Sequence, residues 1–471
     1  MVYTTEQLQV IYNDHEGDVF VDSRAGTGKT TVLKEYSSEN FSKPILLLVF
    51  NNTVRKVAKM TMPINVENHT VNSFAYKYFE NGRLLEKVAG EKILISDYIS
   101  SHFVATRYLN NIKNGPQALS LANTIAKAFN DKLDFNRPVI SHDQRVRDIV
   151  ALIESDMHNK KIPLTHNFIL RQFSDNFDFS SFEYEVIIVD EAQDVNAVML
   201  EIIHKINARC RIYVGDPLQS IYGFRGNLNI FEDQFSKDGV RLNLTGSFRM
   251  GHVIAEFIRK STSMSYQSEI QFEGLNEYEG EVVNKDDFEG FDREAEQLVC
   301  INRTNAGLFD QAFQYASEGY NVAIPFEWEK IKELIESVFY LRMGMIDAIE
   351  SPHIRMYGSF EAFEEAIKNN TDIELRFLLK IIKKHGLKTL DNVSILETRL
   401  SSNRFAEIIC VTAHKAKGLE FENVLLAEDF AKYKVETKPE ERNLVYVAMT
   451  RASKRLILNE DLTKINRSLT T

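Results

Sequence analysis

The sequence predicts an α/β protein with two lobes, each built on a parallel β-sheet and each interrupted by a mainly helical insertion. In two separate blocks, short apolar runs rich in β-branched residues alternate with helical segments, which is typical of buried parallel strands. Two long stretches, residues 84–175 and residues 326–400, break this alternation and have a helical, mixed polar character. Each is therefore predicted to be an insertion in its α/β lobe.

The same pattern gives the expected strands and domain boundaries. Strands are expected at Asp18–Asp22, Ile45–Phe50, Val186–Val189 and Ile212–Val214 in the first block, and at Leu298–Ile301, Asn321–Ile324, Ile408–Thr412, Val424–Leu426 and Arg455–Leu458 in the second. The first lobe is expected to comprise residues 1–83 and 176–250 around the insertion at 84–175, and the second to comprise residues 251–325 and 401–471 around the smaller insertion at 326–400.

Length and composition are those of a soluble intracellular protein. The 471 residues are enough to bury several cores without a disulfide or metal staple. No secretory signal and no apolar run of membrane-spanning length is visible, so we expect a protein of the cytoplasm, in a bacterial cell or a phage-infected host. Three widely spaced cysteines in or beside apolar runs are expected to be reduced core residues rather than metal ligands, namely Cys210, Cys300 and Cys410.

The net charge bears on the choice of partner. At −11, it argues against a protein that coats duplex DNA through bulk positive charge. It is compatible with a protein that grips a single strand by stacking its bases in a narrow channel.

A strand, a glycine-containing turn and a helix start follow one another in the string VFVDSRAGTGKTTVL. The turn matches the phosphate-loop pattern G-x-x-x-x-G-K-S/T, except that Ser23 stands at the first glycine position. Gly26 and Gly28 would let backbone N–H groups wrap the phosphates of ATP, and the helix N-terminus would add the positive end of its dipole. Lys29 would contact the β- and γ-phosphates, and Thr30 would offer its hydroxyl to Mg²⁺. The whole candidate ATP loop is Ser23, Arg24, Ala25, Gly26, Thr27, Gly28, Lys29, Thr30 and Thr31.

Two acidic residues end a predicted buried strand in the string VIIVDEAQD. They emerge at the carboxyl edge of the sheet, where open α/β sheets bind ligands. Asp190 would hold Mg²⁺, and Glu191 would orient and deprotonate the attacking water. Gln219 follows the strand IYVGD and is placed to sense the γ-phosphate.

Two arginines in the second block complete the predicted ATP chemistry, Arg249 in GSFRM and Arg451 in YVAMTRA. The second block has no phosphate loop of its own, but it can still complete the site of the first. Arginines that stabilise the charge of the transition state contribute about 10³–10⁵ in rate where such contributions have been measured.

Aromatic side chains follow the strands of the first block. Phe50, Tyr222 and Phe224 lie at strand ends or in the loops after them, which face the same rim of a doubly wound sheet. Bases stack on such aromatics for about 1–3 kcal/mol each with little sequence preference. We therefore expect a single strand of nucleic acid to cross this rim.

In this order, the motifs resemble superfamily 1 helicases of the UvrD/PcrA/Rep type. The strings that carry the resemblance are TTEQ, SRAGTGKT, LVFNNTVRKVA, TVNSFA, VDEAQD, VGDPLQSIYGFRG, LTGSFRM, NRTNA, TAHKAKGLEF and LVYVAMTRA. A further string, PLTHNFILRQF, is similar to the F-box helicase subgroup, although no F-box is evident. The resemblance implies two RecA-like lobes of the phosphate-loop NTPase class, which clamp ATP and Mg²⁺ and carry single-stranded DNA.

The resemblance also implies roles for individual residues. Gln7 would contact the adenine edge, Phe248 would stack on the adenine ring, and Glu420 would contact the ribose. Gly418 and His414 belong to the motif that couples the nucleotide to DNA. Contacts to DNA are implied for Phe50, Asn51, Thr70, Tyr222, Phe224, Arg225, Arg303, Asn305 and His414.

The sequence thus predicts an ATP-dependent DNA helicase or translocase that moves on single-stranded DNA and meets single-strand/double-strand junctions, with 3′-to-5′ polarity implied by the resemblance alone. One alternative is a translocase that displaces bound proteins and unwinds poorly, because only 20 residues follow Arg451, where relatives place a strand-splitting hairpin. The other is a non-motor, ATP-switched nucleic-acid-binding module. An RNA track, protein partners, the oligomeric state and the pathway served stay open at this point.

Overall fold

The computed structural model describes residues 2–50, 52–78, 115–159, 164–223, 227–232, 236–325, 328–355, 357–368 and 373–470. Over these residues the chain divides into two compact units, with the division between Thr245 and Gly246. We call the N-terminal one unit 1 and the C-terminal one unit 2. Each has a parallel β-sheet of its own.

Unit 1 is built on a sheet whose described strands are β1 (Gly17–Ser23), β2 (Ile45–Val49), β3 (Val66–Thr70), β4 (Glu183–Asp190), β5 (Asn207–Gly215) and β6 (Val240–Leu244). Their order is β3-β2-β4-β5-β1-β6, and every pairing is parallel. The carboxyl ends of the strands therefore lie along one edge. The register places Asp22 beside Gly215 and Asp190 beside Val214, so the ends of β1, β4 and β5 are neighbours.

The described helices of unit 1 lie before or between these strands and include three within the stretch predicted as the first insertion. They are α1 (Thr5–Ile11), α2 (Lys29–Glu39), α3 (Asn52–Thr61), α4 (Val71–Tyr78), α5 (Gly115–Phe135), α6 (Gln144–His158), α7 (His166–Asn176) and α8 (Ala197–Lys205). Residues 84–114 and 160–163 of that stretch lie outside the described residues, so the prediction for them stays a prediction.

The centre of the unit 1 core is β2, which is buried along its whole length. Leu46 and Leu48 join one apolar cluster, while Ile45, Leu47 and Val49 join another. Alternate side chains of a strand point to opposite faces of the sheet. A strand that is apolar at every position must therefore lie between two covered faces, which is the arrangement of a doubly wound sheet.

Unit 2 has a second parallel sheet and a short separate strand pair. The pair is β7 (Gly246–Ser247) with β8 (Glu273–Gly274), and the described strands of the sheet are β9 (Glu281–Val283), β10 (Leu298–Asn302), β11 (Val322–Ala323), β12 (Ile408–Thr412), β13 (Phe421–Leu426) and β14 (Ala452–Ile457). The order in the sheet is β11-β12-β10-β13-β14-β9, again with parallel pairings.

The described helices of unit 2 include a helical group between β11 and β12, in the stretch predicted as the second insertion. They are α9 (His252–Tyr266), α10 (Asn305–Ser317), α11 (Trp328–Arg342), α12 (Pro352–Arg355), α13 (Phe360–Lys368), α14 (Ile373–His385), α15 (Thr389–Arg399), α16 (Ala413–Ala416), α17 (Pro439–Met449) and α18 (Glu460–Thr470). Across the described ranges, none of the helices has both the length and the apolar character needed to cross a bilayer.

The predicted fold class is confirmed, since each predicted strand has a counterpart in one of the two parallel sheets. Three strands of these sheets were not predicted, namely β3, β6 and β9. All three lie at sheet edges and have several exposed or half-exposed positions. An edge strand has one neighbour instead of two and needs no continuous apolar run, which explains the missing signal. The exact boundaries of lobes and insertions stay predictions.

Phe74 offers a direct test of the packing in unit 1. Its ring is fully buried between the rings of Phe173, Phe182 and Tyr78. Phe74→Ala should lower the free energy of unfolding by about 3–5 kcal/mol, because it leaves a cavity. Urea denaturation followed by circular dichroism measures this loss. Phe41, which is 58% exposed, is the control, and Phe41→Ala should cost less than about 0.5 kcal/mol. Equal losses in the two variants would contradict the packing.

Candidate functional site

The phosphate loop joins β1 to α2 through two glycines with left-handed backbone conformation. The φ angle is 76° at Gly26 and 79° at Gly28, values that favour residues without a Cβ. Gly28 is the N-cap of α2 and has no side chain that could cap the helix. The N–H groups of the first helical turn therefore point towards any anion in the loop, and the helix dipole favours an anion at that position.

Ser23 occupies the loop position where the pattern expects glycine. Its hydroxyl lies 2.7 Å from the hydroxyl of Thr27, which in turn donates to the carbonyl oxygen of Arg24 at 3.0 Å. The side chains of Ser23 and Thr27 are both buried. The departure from the pattern is thus accommodated by hydrogen bonds that close the loop on itself.

Lys29 brings the loop into contact with the end of β4, because its Nζ lies 3.1 Å from Oε1 of Glu191. Burial disfavours the charged lysine, but the negative charges of Glu191, Asp190 and Asp216 outweigh burial and raise the pKa of Lys29. Burial and the charge of Glu191 raise the pKa of Asp190, against the opposing effect of Lys29. Glu191 has a φ of 53°, a strained value for a residue other than glycine.

A chain of hydrogen bonds, which we call the acid–amide chain, joins Glu191, Gln193, Asp216 and Gln219. Gln193 donates to Oε2 of Glu191 at 2.5 Å and accepts from the backbone N–H of Asp216 at 3.1 Å. Oδ2 of Asp216 accepts from Nε2 of Gln219 at 2.7 Å. The side chains of Gln193, Asp216 and Gln219 are buried. The Gln193 side chain can lie against the end of β5 because residue 215 is glycine. A Cβ at that position would lie 2.1 Å from Oε1 of Gln193.

Arg24 ties the phosphate loop to the acid–amide chain. Its Nη1 lies 2.6 Å from Oδ1 of Asp22 and 3.5 Å from Oδ1 of Asp216. Burial raises the pKa of Asp22 to about 6, although Arg24 opposes this effect. Sequence reasoning missed Asp22, Gln193 and Asp216 as site residues. The last two lie within the strings VDEAQD and VGDPLQ and could have been found there, whereas Asp22 carries no signal of its own.

Gln7, predicted at the adenine edge, is buried beside the phosphate loop. Its Oε1 accepts from the backbone N–H of Thr4 at 3.1 Å, and its Nε2 donates to the carbonyl oxygen of Thr27 at 3.0 Å. Each amide atom has a further hydrogen-bonding position. Adenine presents an acceptor nitrogen beside an amino donor. The Gln7 amide can donate to the first and accept from the second.

Thr30 and Asp190 are the candidate ligands for Mg²⁺. They offer a hydroxyl and a carboxylate oxygen, the donor types that this ion takes in nucleotide sites. No group of three or more His, Cys, Asp or Glu side chains arranged around an ion exists in the described part of the chain. Mg²⁺ that binds with a nucleotide does not require such a group, because phosphates and waters complete its shell. The two residues therefore fit the ion.

Phe50 and Tyr222 form an aromatic pair on the surface of unit 1. Their ring centroids lie 5.7 Å apart with planes inclined by 17°, and Phe50 is 36% exposed. Ser220, two residues before Tyr222, donates from its hydroxyl to the carbonyl oxygen of Gln193 at 3.3 Å. The segment 216–222 therefore connects the acid–amide chain to the aromatic pair. Three further residues predicted to contact DNA lie outside the described residues, namely Asn51, Phe224 and Arg225.

Thr70, at the end of β3, is held by a local network around Glu67. The hydroxyl of Thr70 accepts from the backbone N–H of Ser73 at 3.0 Å. Oε1 of Glu67 accepts from Nζ of Lys77 at 2.6 Å, and Oε2 accepts from the hydroxyl of Tyr184 at 2.7 Å. Burial opposes the charge of Glu67, but the hydrogen bonds from its neighbours prevail and lower its pKa to about 2.

In unit 2, Arg249 and Arg451 meet at Thr450. Arg249 donates from Nη1 to the carbonyl oxygen of Thr450 at 2.8 Å and from Nε to Oε2 of Glu420 at 3.1 Å. Arg451 is buried and donates from Nη2 to the hydroxyl of Thr450 and from Nη1 to the carbonyl oxygen of Leu419, both at 3.0 Å. Predicted nucleotide-binding residues from three separate strings are thus brought together within unit 2.

The other predicted residues of unit 2 lie in turns or short helical segments close to the ends of its strands. Phe248 is 43% exposed, and Gly418 has a φ of 83° in the turn before β13. His414 lies in α16, directly after β12. Arg303 follows β10, and Asn305 begins α10.

Two family matches cover almost all of the chain. Residues 3–238 match the UvrD/REP helicase N-terminal domain, and residues 167–461 match the UvrD-like helicase C-terminal domain. The chain belongs to the UvrD-like helicase family. The predicted resemblance to helicases of this type is thereby confirmed.

Individual relatives within this helicase family include two F-box proteins. The chain is 27% identical to F-box DNA helicase protein 1 of Schizosaccharomyces pombe, over 98% of this chain and 58% of the relative. It is 25% identical to F-box DNA helicase 1 of Gallus gallus, over 98% of this chain and 49% of the relative. The chain therefore spans about half the length of these two relatives.

The role of Lys29 in the loop leads to a first functional prediction. Lys29→Ala should lower ATP hydrolysis by at least about 10²-fold, because the charge that faces the phosphates is lost. Binding of a single-stranded DNA oligonucleotide should persist. Phosphate release and fluorescence anisotropy measure the two activities. Lys34→Ala, which removes an exposed lysine from the same helix, is the control and should hydrolyse ATP normally. Normal turnover in Lys29→Ala would refute the site.

The depressed pKa of Glu67 leads to a pH prediction. Its folded-state pKa of about 2 lies below the usual 4.5, so its contribution to stability is present above pH 4.5 and is lost as the pH falls towards 2. At pH 7, Glu67→Gln should lower the free energy of unfolding by up to about 1 kcal/mol, since solvent screens the partly exposed side chain. The difference from the unmodified protein should shrink below pH 4.5. The exposed Glu39→Gln is the control, and a pH-independent difference for Glu67→Gln would contradict the assignment.

Proposed function

We propose that this chain is an ATP-dependent DNA helicase or translocase that moves along single-stranded DNA and acts at single-strand/double-strand junctions. One observation carries the proposal. Contacts within unit 1 run from Lys29 through the acid–amide chain to Ser220, two residues before the Tyr222 that stacks with Phe50. Membership of the helicase family supports the same function, and both F-box relatives bear the name DNA helicase.

In ATP hydrolysis, Lys29 and the N-terminus of α2 bind the phosphates. When the γ-phosphate attracts the Lys29 ammonium, Glu191 loses part of its ion pair and becomes available to accept a proton from water. Gln219 orients the water or the γ-phosphate, since its amide is fixed by Asp216. The acid–amide chain thus sets the orientation of the groups that act on the terminal phosphate.

Besides Lys29, a metal ion and two arginines supply positive charge for the transition state. Thr30 and Asp190 would hold Mg²⁺, which would neutralise phosphate charge. Arg249 and Arg451 supply further charge to the γ-phosphate, and such arginines contribute about 10³–10⁵ in rate. Gln7, Phe248 and Glu420 bind the adenosine.

The DNA strand is held by stacking more than by bulk charge, in keeping with a net charge of −11. Bases stack on the aromatic pair Phe50 and Tyr222. Thr70 in unit 1 and the residues Arg303, Asn305 and His414 in unit 2 contact the DNA backbone. The 3′-to-5′ polarity rests on membership of the family.

Strand displacement on forked DNA tests the proposal. Forks with either a 3′ or a 5′ single-stranded tail are incubated with the protein and ATP, and release of the labelled strand is followed. We expect ATP-dependent release from the 3′-tailed fork and little from the 5′-tailed fork. A preference for the 5′ tail would contradict the polarity. Failure of single strands to raise ATP turnover, together with no release from either fork, would contradict the motor.

A further inference from the structure

The C-terminal end of helix α17 in unit 2 lies beside the two arginines that the proposed function assigns to ATP hydrolysis. It covers Pro439–Met449, a length of about 16 Å at 1.5 Å per residue. The next residue, Thr450, accepts hydrogen bonds from both Arg249 and Arg451. A displacement of the C-terminal end of α17 would therefore move the hydrogen-bond acceptors of both guanidinium groups.

The first turn of the same helix holds Arg303, which the proposed function assigns to the DNA backbone. Nε and Nη2 of Arg303 donate to Oε2 and Oε1 of Glu441, both at 2.8 Å. The two side chains are only 18% and 15% exposed. Two parallel hydrogen bonds to one carboxylate fix the plane of a guanidinium group. Glu441 therefore sets the direction in which the other N–H groups of Arg303 point.

The backbone of Arg303 is fixed independently of α17. Asp429 accepts from the backbone N–H of Arg303 through Oδ1 and from that of Thr304 through Oδ2, both at 2.8 Å. The fit is close, because a Cβ at Gly307 would lie 2.1 Å from Oδ2 of Asp429. With its backbone held in this way, Arg303 responds to a movement of α17 mainly through its side chain and Glu441.

Helix α17 is also tightly packed along most of its length. Every residue from Arg442 to Met449 is buried. Arg442 donates to the carbonyl oxygen of Ser265 at 2.5 Å, and its guanidinium lies 4.0 Å from the ring centroid of Tyr266. Packed cores are dense and transmit a displacement instead of absorbing it. A force applied at Glu441 is therefore carried to Thr450.

We propose that Glu441 is a positioning residue that links DNA binding at Arg303 to the arginines at the other end of α17. The inference rests on the proposed function, because it takes Arg303 as a DNA contact and Arg249 and Arg451 as ATP contacts. A DNA phosphate attracts the Arg303 guanidinium, and Glu441 moves with it because the two side chains are hydrogen-bonded. Helix α17 transmits this movement to Thr450. Single-stranded DNA thereby raises the rate of ATP hydrolysis.

Steady-state ATP hydrolysis by the full chain tests this link, with and without an unstructured thymidine oligonucleotide. Glu441→Gln keeps the size of the side chain and removes its charge. We expect it to lower the DNA-stimulated kcat by about 3- to 30-fold, while the turnover without DNA and the KM for ATP stay as they are. A merely structural defect would lower turnover in both conditions.

Glu440→Gln is the matched control, because Glu440 lies in the same first turn and has the same relation to the helix dipole. It should leave the stimulation by DNA intact. An equal loss in Glu440→Gln would mean that charge at the helix end is responsible, and it would overturn the inference.

A double-variant cycle tests whether Glu441 acts through Arg303. Arg303→Gln should lower the stimulation, and adding Glu441→Gln to it should cause no further loss, because the second residue has nothing left to position. Losses that multiply in the double variant would overturn the inference. If Glu441→Gln does not fold, Arg303→Lys replaces it. Lysine keeps the cation but cannot form the bidentate pair, so it should bind DNA and lose the stimulation, and full stimulation in Arg303→Lys would overturn the link.

Failure of this inference and failure of the proposed function give different results. If the unmodified protein is stimulated by DNA and Arg303→Gln is impaired, but Glu441→Gln is normal, only the inference falls. If Arg303→Gln is also normal, the proposed contact between Arg303 and DNA is contradicted as well. If the oligonucleotide does not stimulate the unmodified protein, the proposed function fails and the inference fails with it.

Discussion

The ion pair between Lys29 and Glu191 is the contact on which the site in unit 1 depends, because it joins the phosphate loop to the end of β4. The two side chains are 15% and 26% exposed, so solvent screens the attraction between them only partly. Glu191 also has a left-handed backbone conformation, with a φ of 53°. Backbone strain of this kind persists only when the surroundings hold it in place. The group proposed to bind phosphate and the group proposed to activate water are thus in direct contact.

From Glu191, the hydrogen bonds of the acid–amide chain continue to Gln219 and fix the side chains along it. Asp216 is fully buried, and its carboxylate is engaged by Gln219, by the backbone of Leu218 and by Arg24. Buried networks of this kind polarise their members and resist partial rearrangement. A change at the phosphate end is therefore expected to move the segment 216–222 as a whole. In unit 2, Thr450 has a comparable place as the shared acceptor of two arginines.

The sequence was sufficient for the parts of the structure that local patterns encode. Buried strands such as β2 were predictable because they are apolar at every position, and the phosphate loop was predictable because its chemistry fixes residue types at short spacing. Contacts between distant residues were not predictable. The hydrogen bond from Asp216 to Gln193 spans 23 residues and that from Arg303 to Glu441 spans 138. Such pairs depend on sheet register and helix packing, which no local pattern specifies.

The central claim is that the acid–amide chain transmits DNA binding to the ATP site, and in that chain Gln193 joins Glu191 to Asp216. The most direct measurement is the ratio of ATP turnover with and without a thymidine oligonucleotide, compared between the unmodified protein and Gln193→Ala. The ratio is expected to fall towards one in Gln193→Ala, while the affinity for the oligonucleotide persists. An unchanged ratio in a folded Gln193→Ala protein would contradict the claim.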